Sequence, residues 1–320
     1  DYLIGGEIEF IVEDLLRALL EDRDGLEKIN GISYKKHETW ITNEMNVWSS
    51  RGDDIPFPDR SSMNNNLYIR PDTGNPMATI ATSRGCGAKC TYCLTPIISG
   101  THIRYRSPES IFKEIEECVN VHGINDFFFK SDTFTMNRHW VEKLCVYLTN
   151  SNLSKKIRWV ANSRVNPLQL ETLLAMKEAG CDLVAFGFES GSEETLKRIR
   201  KGATREQNLE AREMVKKSKM DCFGFFLIGL PWEGMAHLKD TEDLIFQMDC
   251  EYLELHIAVP YFGTTLHKEI LENGLLDGSP LGKDYFNRPT LGTKTLSMNK
   301  LDDYRKKLLL KYHLRPSYIG

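Results

Sequence analysis

From residue 77 onward short apolar runs alternate regularly with stretches of helical periodicity. The runs are 77–82, 126–130, 157–161, 183–187, 222–228 and 253–259. They carry aromatic, Val, Ile and Leu residues, and each is too short for a buried helix, so they read as strands. Helix-start signals fall between them. Ser107-Pro108 offers a cap and a first-turn proline, Ile111, Phe112, Ile115 and Val119 an apolar face, and Gly123 a stop. Asn166-Pro167 predicts a helix running to Gly180, and Thr204 to Gln207 reads as a capping box. The last two helices are expected near 138–148 and 238–248. Strands alternating with helices form a parallel sheet with helices outside, because parallel strands need a crossover. Six such units predict an α/β fold, a partial (β/α)6 TIM-like barrel that is an open relative of the eightfold form.

Barrels of this kind do their chemistry at the carboxyl ends of the strands. The loop after the first strand holds Cys86, Cys90 and Cys93, spaced C-x3-C-x2-C. Three thiolates in one tight loop can hold three irons of a [4Fe–4S] cube, which normally takes four cysteines. The fourth iron is then open to a small molecule. Two other readings stand beside this one. The three could be half a zinc site with His102 as fourth ligand, although structural zinc sites usually pair two such units and only one C-x2-C occurs. They could also be buried thiols without metal. Cys118, Cys145, Cys181, Cys222 and Cys250 lie in or beside apolar-periodic segments and read as small buried hydrophobes.

The spacing, with Tyr92 just before the last cysteine, resembles the radical S-adenosylmethionine (radical SAM) superfamily. The resemblance implies that the open iron chelates the amino and carboxylate groups of SAM. It further implies reductive cleavage to a 5′-deoxyadenosyl radical that activates a substrate C–H bond. The segments 129–135, 159–164, 186–191, 227–233 and 260–264 extend the likeness in order. They resemble the cobalamin-associated branch, which includes anaerobic magnesium-protoporphyrin IX monomethyl ester cyclase-like enzymes and cobalamin-dependent radical SAM methyltransferases. The branch implies C-methylation or oxidative cyclisation of a small-molecule or natural-product substrate. It also implies a reducing electron donor such as flavodoxin or ferredoxin, with cobalamin as a further cofactor. The branch's cobalamin loop often carries Asp-x-His, and no Asp-x-His occurs in this chain.

The same resemblance assigns a SAM site, and each assignment has a plainer alternative. Tyr92 would set its backbone against adenine, or simply pack. Ser131 and Asp132, ending the second strand, would hold the SAM ammonium, or cap a helix before Asn137. Ser163 and Arg164 end the third strand, where a guanidinium suits a carboxylate through two hydrogen bonds; the alternative is a surface ion pair. Glu189 ends the fourth and can accept from ribose hydroxyls, or favour a helix start. Gly229 lets backbone approach a ligand closely, or makes a tight turn, and Pro260 would wall the adenine. His256 and Tyr261 are expected at the mouth with no assigned role.

Residues 1–76 read differently. Gly5-Gly6-Glu7 looks like a turn, Ile8, Ile11, Leu15, Leu16 and Leu19 form a helical stripe, and 31–41 a small hairpin. These features resemble the tail of the branch's cobalamin domain, and a chain beginning in mid-strand suggests a fragment. The expected division is 1–50 for that tail, 51–76 for a linker, 77–275 for the radical SAM core and 276–320 for a C-terminal extension. A net charge of 41 − 45 = −4 gives no basic field for nucleic acid. No apolar run approaches the roughly 20 residues of a membrane helix, and the acidic start is unlike a secretory signal. A reducing, cytoplasmic setting is expected. The competing functions are a cobalamin-independent radical SAM lyase or rearrangement enzyme, and a non-catalytic iron–sulfur protein. A methylthiotransferase would need a second three-cysteine domain.

Overall fold

The computed structural model describes residues 2–21, 25–44, 48, 52–275 and 290–316. The chain opens with β1 (Tyr2–Ile4), α1 (Val12–Leu20), β2 (Ile32–Lys36) and β3 (Thr39–Thr42). The three strands form an antiparallel sheet in the order β1-β2-β3, which contains the predicted hairpin. Ile11, Leu15 and Ala18 pack against Leu26, Ile32 and Tyr34. The predicted stripe is only partly used, since Ile8 and Leu16 are exposed. Ile8 lies in a 3-10 turn before α1 and so falls out of helical phase with the rest.

The second sheet is the predicted one. Its strands are β4 (Met77–Ala81), β7 (Asp126–Lys130), β8 (Arg158–Ser163), β9 (Cys181–Glu189), β10 (Asp221–Ile228) and β11 (Tyr252–Ile257), all parallel and adjacent in chain order. A two-stranded ribbon, β5 (Ser83–Arg84) with β6 (Arg104–Tyr105), and the short α2 (Thr95–Ile98) follow β4. The crossovers are α3 (Pro108–Asn120), α4 (Arg138–Asn150), α5 (Leu170–Glu178), then α6 (Glu193–Arg198) with α7 (Arg205–Ser218), and α8 (Met235–Met248). After β11 come α9 (Thr265–Glu272) and α10 (Met298–His313). This is a partial (β/α)6 barrel.

Alternation along each strand sorts the two faces. Ile80, Phe127, Phe129, Trp159, Phe186, Phe188 and Phe226 bury with the crossover helices in one apolar cluster, and Phe129 stacks on Trp159 at 4.5 Å. The intervening residues, among them Phe128, Asn162, Phe225 and His256, are less buried and lie on the concave face. Leu301, Leu308 and Tyr312 of α10 join the same cluster, so the C-terminal segment packs onto the core. The five cysteines outside the loop are buried, as expected of small hydrophobes. Burial pushes the Cys118 thiol up to about 11 and the Cys145 thiol up to about 12.

One helix start is corrected. α5 begins at Leu170 with Gln169 at its N-cap, not at Asn166-Pro167. The Asn166 amide instead donates to the Gly202 carbonyl at 3.4 Å, tying this loop to the α6–α7 turn. The open edge of the sheet is protected by charge. The Arg60 and Arg106 guanidiniums donate to the Thr79 and Ala81 carbonyls of β4 and share the buried carboxylate of Glu114, at 2.6 and 2.5 Å. Carbonyls occupied in this way are withdrawn from pairing with another strand.

Candidate active site

The cysteine loop leaves the carboxyl end of β4 and is braced by the end of β7. Asp132 accepts from the Gly85 N–H at 2.9 Å and from the Thr95 hydroxyl at 3.3 Å, so one carboxylate holds both ends of the loop. The middle is held by Thr91, whose N–H donates to Ile199 O at 3.0 Å and whose carbonyl accepts from Leu266 N–H at 2.8 Å. Each sulfur receives a donor. Ala88 N–H points to Cys86 Sγ at 3.5 Å, Thr95 N–H to Cys93 Sγ at 3.4 Å, and an Arg164 N–H to Cys90 Sγ at 3.6 Å. Donors aimed at sulfur favour the thiolate, the form that ligates metal. Burial works the other way at Cys86 and raises its thiol pKa.

All three sulfurs belong to one cavity of about 180 Å³, lined also by Tyr92, Thr95, Asp132, Asn162, Ser163, Arg164, Lys201 and Phe225. Among the described residues no three His, Cys, Asp or Glu side chains converge on a single-ion site. Tetrahedral zinc would draw its sulfurs to within about 3.8 Å of one another, from a Zn–S bond near 2.3 Å. A cube spreads its thiolates over separate irons. The donor set and the shared cavity fit a three-cysteine cluster, and His102 is not among the residues lining that cavity.

The residues named from sequence fall into two groups. Tyr92, Asp132, Ser163 and Arg164 line the cavity. Arg164 is no surface ion pair. Its guanidinium reaches Cys90 and the Lys201 carbonyl, and although burial opposes its charge, Cys90 and Cys86 hold its pKa above the ordinary value. The helix cap offered as the alternative for Asp132 belongs to another side chain, Asn137 for α4. Ser163 shares a hydroxyl hydrogen bond with Thr135.

Glu189 stands one step back from the cavity. Its carboxylate accepts from Lys201 Nζ at 2.7 Å. Burial first, then the charge on the neighbouring Glu189, push the Tyr92 hydroxyl far above its usual range, so it stays protonated. Ser131 is buried, bonded to Ser83 at 2.6 Å, and borders a neighbouring hollow beneath Glu7 and Arg84. Gly229 turns with φ +84, and its N–H is taken by Glu233 at 2.8 Å. Pro260 is buried and, like Gly229, outside the cavity lining. His256 is 48% exposed on its side chain, stacks on Phe225 at 6.2 Å and faces Glu254 at 3.4 Å.

Sequence reasoning missed Thr95, Asn162, Phe225 and Lys201 as cavity residues. Phe225 and Asn162 could have been found from strand phase, which puts them on the concave face with the strand ends. Lys201 carried no local signal.

Comparison with known proteins adds to this geometry. Residues 80–245 match the Radical SAM superfamily. An uncharacterised methyltransferase of Pyrococcus horikoshii is 30% identical over all of this chain and 68% of its own length. The anaerobic magnesium-protoporphyrin IX monomethyl ester cyclase of Cereibacter sphaeroides is 24% identical over 98% of this chain and 53% of its own length. Among solved structures, the radical SAM methyltransferase TsrM of Kitasatospora setae, with cobalamin and a [4Fe–4S] cluster bound, has a TM-score of 0.69 at 19% identity, covering 88% of this chain and 55% of that one. The cobalamin-dependent enzyme OxsB has a TM-score of 0.66 at 21% identity, covering 97% of this chain and 45% of that one. These structures share the fold, and the chain spans about half their length.

Proposed function

The chain belongs to the radical SAM superfamily, and from that premise we propose that it activates a C–H bond of a small-molecule or natural-product substrate, leading to C-methylation or oxidative cyclisation. The observation that carries this is the set of three sulfurs, each with its own hydrogen-bond donor, on the wall of one cavity at the strand ends.

Cys86, Cys90 and Cys93 would hold a [4Fe–4S] cluster, which supplies a single electron to cleave SAM. Around it the chain's own groups have separable tasks. Asp132 holds the loop closed through Gly85 and Thr95 and presents its carboxylate to the cavity, where it suits the SAM ammonium together with the end of β7 at Ser131. Arg164 donates to Cys90 and keeps a positive charge beside the sulfur, within reach of a carboxylate in the cavity; Ser163 fixes the strand end that carries it. Glu189 offers acceptors to ribose hydroxyls. Tyr92 would bound the adenine side from the cavity wall, and Gly229 and Pro260 would do so from beyond its lining. The partly buried Phe225 and the half-exposed His256 continue from the cavity along the concave face, where a substrate would lie.

Cobalamin belongs to this proposal as a further cofactor, since TsrM and OxsB are solved with it. On the same reading, residues 1–50 are the tail of a cobalamin-binding-type domain ahead of a 51–76 linker, 77–275 the catalytic core and 276–320 its extension. The reductant would be a flavodoxin or ferredoxin, in the cytoplasm. Among the described residues no helix is long and apolar enough to cross a membrane.

The test is anaerobic reconstitution with iron and sulfide, then reduction with SAM present and mass-spectrometric assay of 5′-deoxyadenosine. The wild type should take up a cluster and release the nucleoside, and Cys90→Ala should do neither. Cluster uptake without any SAM cleavage would sink the catalytic reading in favour of a non-catalytic iron–sulfur protein.

A further inference from the structure

Lys201 is an unusual residue for its place in the chain. It follows Lys197, Arg198 and Arg200, which are exposed, yet it is only 5% exposed itself. Arg200 and Gly202 on either side both adopt left-handed backbone, φ +53 and φ +70, which turns the Lys201 side chain inward over the strand ends. Its ammonium bonds Glu189 at 2.7 Å. Its carbonyl accepts from Arg164, which in turn donates to Cys90. The contacts form a chain from Cys90 through Arg164 and Lys201 to Glu189.

Two backbone features make room for that chain of contacts. Glu189 adopts φ +64, a conformation costly for a residue with a Cβ and characteristic of functional sites. Gly187 lies one residue-pair earlier on the same face of β9. A Cβ there would run into Glu189 Oε1 and come within 2.7 Å of Lys201 Nζ. The glycine is thus the space into which the ion pair fits.

We propose that Lys201 is a positioning residue for SAM: it holds the Glu189 carboxylate, through the gap at Gly187, in the orientation that receives the ribose hydroxyls. This rests on the proposed ribose role of Glu189. A carboxylate in left-handed backbone, free of its ammonium partner, would turn to other rotamers and lose the pre-set geometry that makes hydrogen bonds productive. Lys201 itself touches Glu189, not the reacting atoms.

The experiment measures dissociation constants for SAM and for its 2′,3′-dideoxyribosyl analogue, using the chain with its oxidised cluster loaded. The variants are Glu189→Gln, Lys201→Met and Gly187→Ala, with cluster absorbance as the check on integrity. Lys201→Met and Gly187→Ala should each weaken SAM about tenfold, as expected for loss of a hydrogen bond to a charged group, and leave the analogue within about twofold. Gly187→Ala keeps both charges, so it decides the matter if Lys201→Met takes up no cluster. Equal weakening of both ligands, or of neither, by the Lys201 and Gly187 variants while Glu189→Gln stays selective for SAM would overturn the positioning role alone. A Glu189→Gln variant without such selectivity would overturn the ribose assignment and this inference with it.

Discussion

In the six-stranded sheet Phe129 and Trp159 are fully buried and stacked; in the three-stranded sheet ahead of it Trp40 is 46% exposed, and Leu20 on α1 is 85% exposed. The larger unit encloses its core with helices on the convex face. The smaller one has a single helix and a handful of buried side chains, and it leans on its neighbour through charge. Glu7 pairs with Arg104 at 2.8 Å, and Glu9 with Arg84 at 2.5 Å. The Arg84 hydrogen bond draws the Glu9 carboxyl below its ordinary pKa. Apolar area scales with the number of layers that can close on it, so a two-layer fragment of this size gains little stability on its own. The catalytic frame is therefore self-supporting, whereas the N-terminal unit is only as ordered as its docking.

The largest expected effect tests the frame where it too depends on charge. Glu114 is shared by Arg60 and Arg106, all three nearly inaccessible. Glu114→Ala would leave two buried guanidiniums without a counter-ion and should cost about 3–5 kcal/mol in guanidinium-chloride unfolding. Leu144→Ala, deep in the same apolar cluster, should cost about 2–5 kcal/mol. A loss under about 1 kcal/mol for Glu114→Ala would show that water reaches the β4 edge, and the contrast between the two units would weaken.

Glu233 gives a pH handle on the same frame. It is fully buried, and burial raises its pKa to about 6, against the Leu230 and Gly229 N–H groups and the Thr195 hydroxyl that favour its ionised form. A raised carboxyl binds its proton more tightly folded than unfolded. Stability from this group is therefore full below about pH 4.5, falls as pH rises through about 6, and is flat above that. The drop should be on the order of 2 kcal/mol. Unfolding titrations at pH 4 and pH 7 should show it, and Glu233→Gln should flatten it. A wild type that gains stability over that interval would contradict the assignment.

How much of this was legible beforehand follows the same division. The six strands were readable because each is an apolar run bounded by turn residues, and the helices because their caps are local. The cysteine loop was readable because three ligands within eight residues need no tertiary information. Asp132 and Arg164 could be placed only through the fold, since a strand end is where a barrel puts its chemistry. Lys201 was opaque: in sequence it closes a run of basic residues that resembles a solvated face, and only the α6–α7 turn carries it under Gly187. The stripe on α1 misled at Ile8 and Leu16 because periodicity reports an apolar face but not whether a layer exists to cover it.

Docking by charge predicts a local effect at the junction. Arg104→Ala removes the 2.8 Å ion pair to Glu7, and the N-terminal unit should loosen without unfolding the sheet behind it. Hydrogen exchange at β1–β3 should speed up by about tenfold, from a loss of roughly 1–2 kcal/mol, while β7–β10 amides keep their protection. Equal loss of protection in both sheets would mean the two units unfold as one and would break the comparison outright.

The smallest effect is the sharpest test of what the N-terminal unit's surface is. Leu20 ends α1 with most of its side chain in contact with solvent. Truncating it removes almost no buried area, and alanine is a slightly better helix former, so Leu20→Ala should change stability by less than about 0.5 kcal/mol. The same truncation at Leu144 deletes contacts on all sides. If Leu20→Ala instead costs more than about 1 kcal/mol in the intact chain, the side chain is covered in solution, and the exposed face of α1 is a contact surface rather than a boundary with water. The chemistry is the same leucine in both places, so any difference between the two variants measures the layers around it and nothing else.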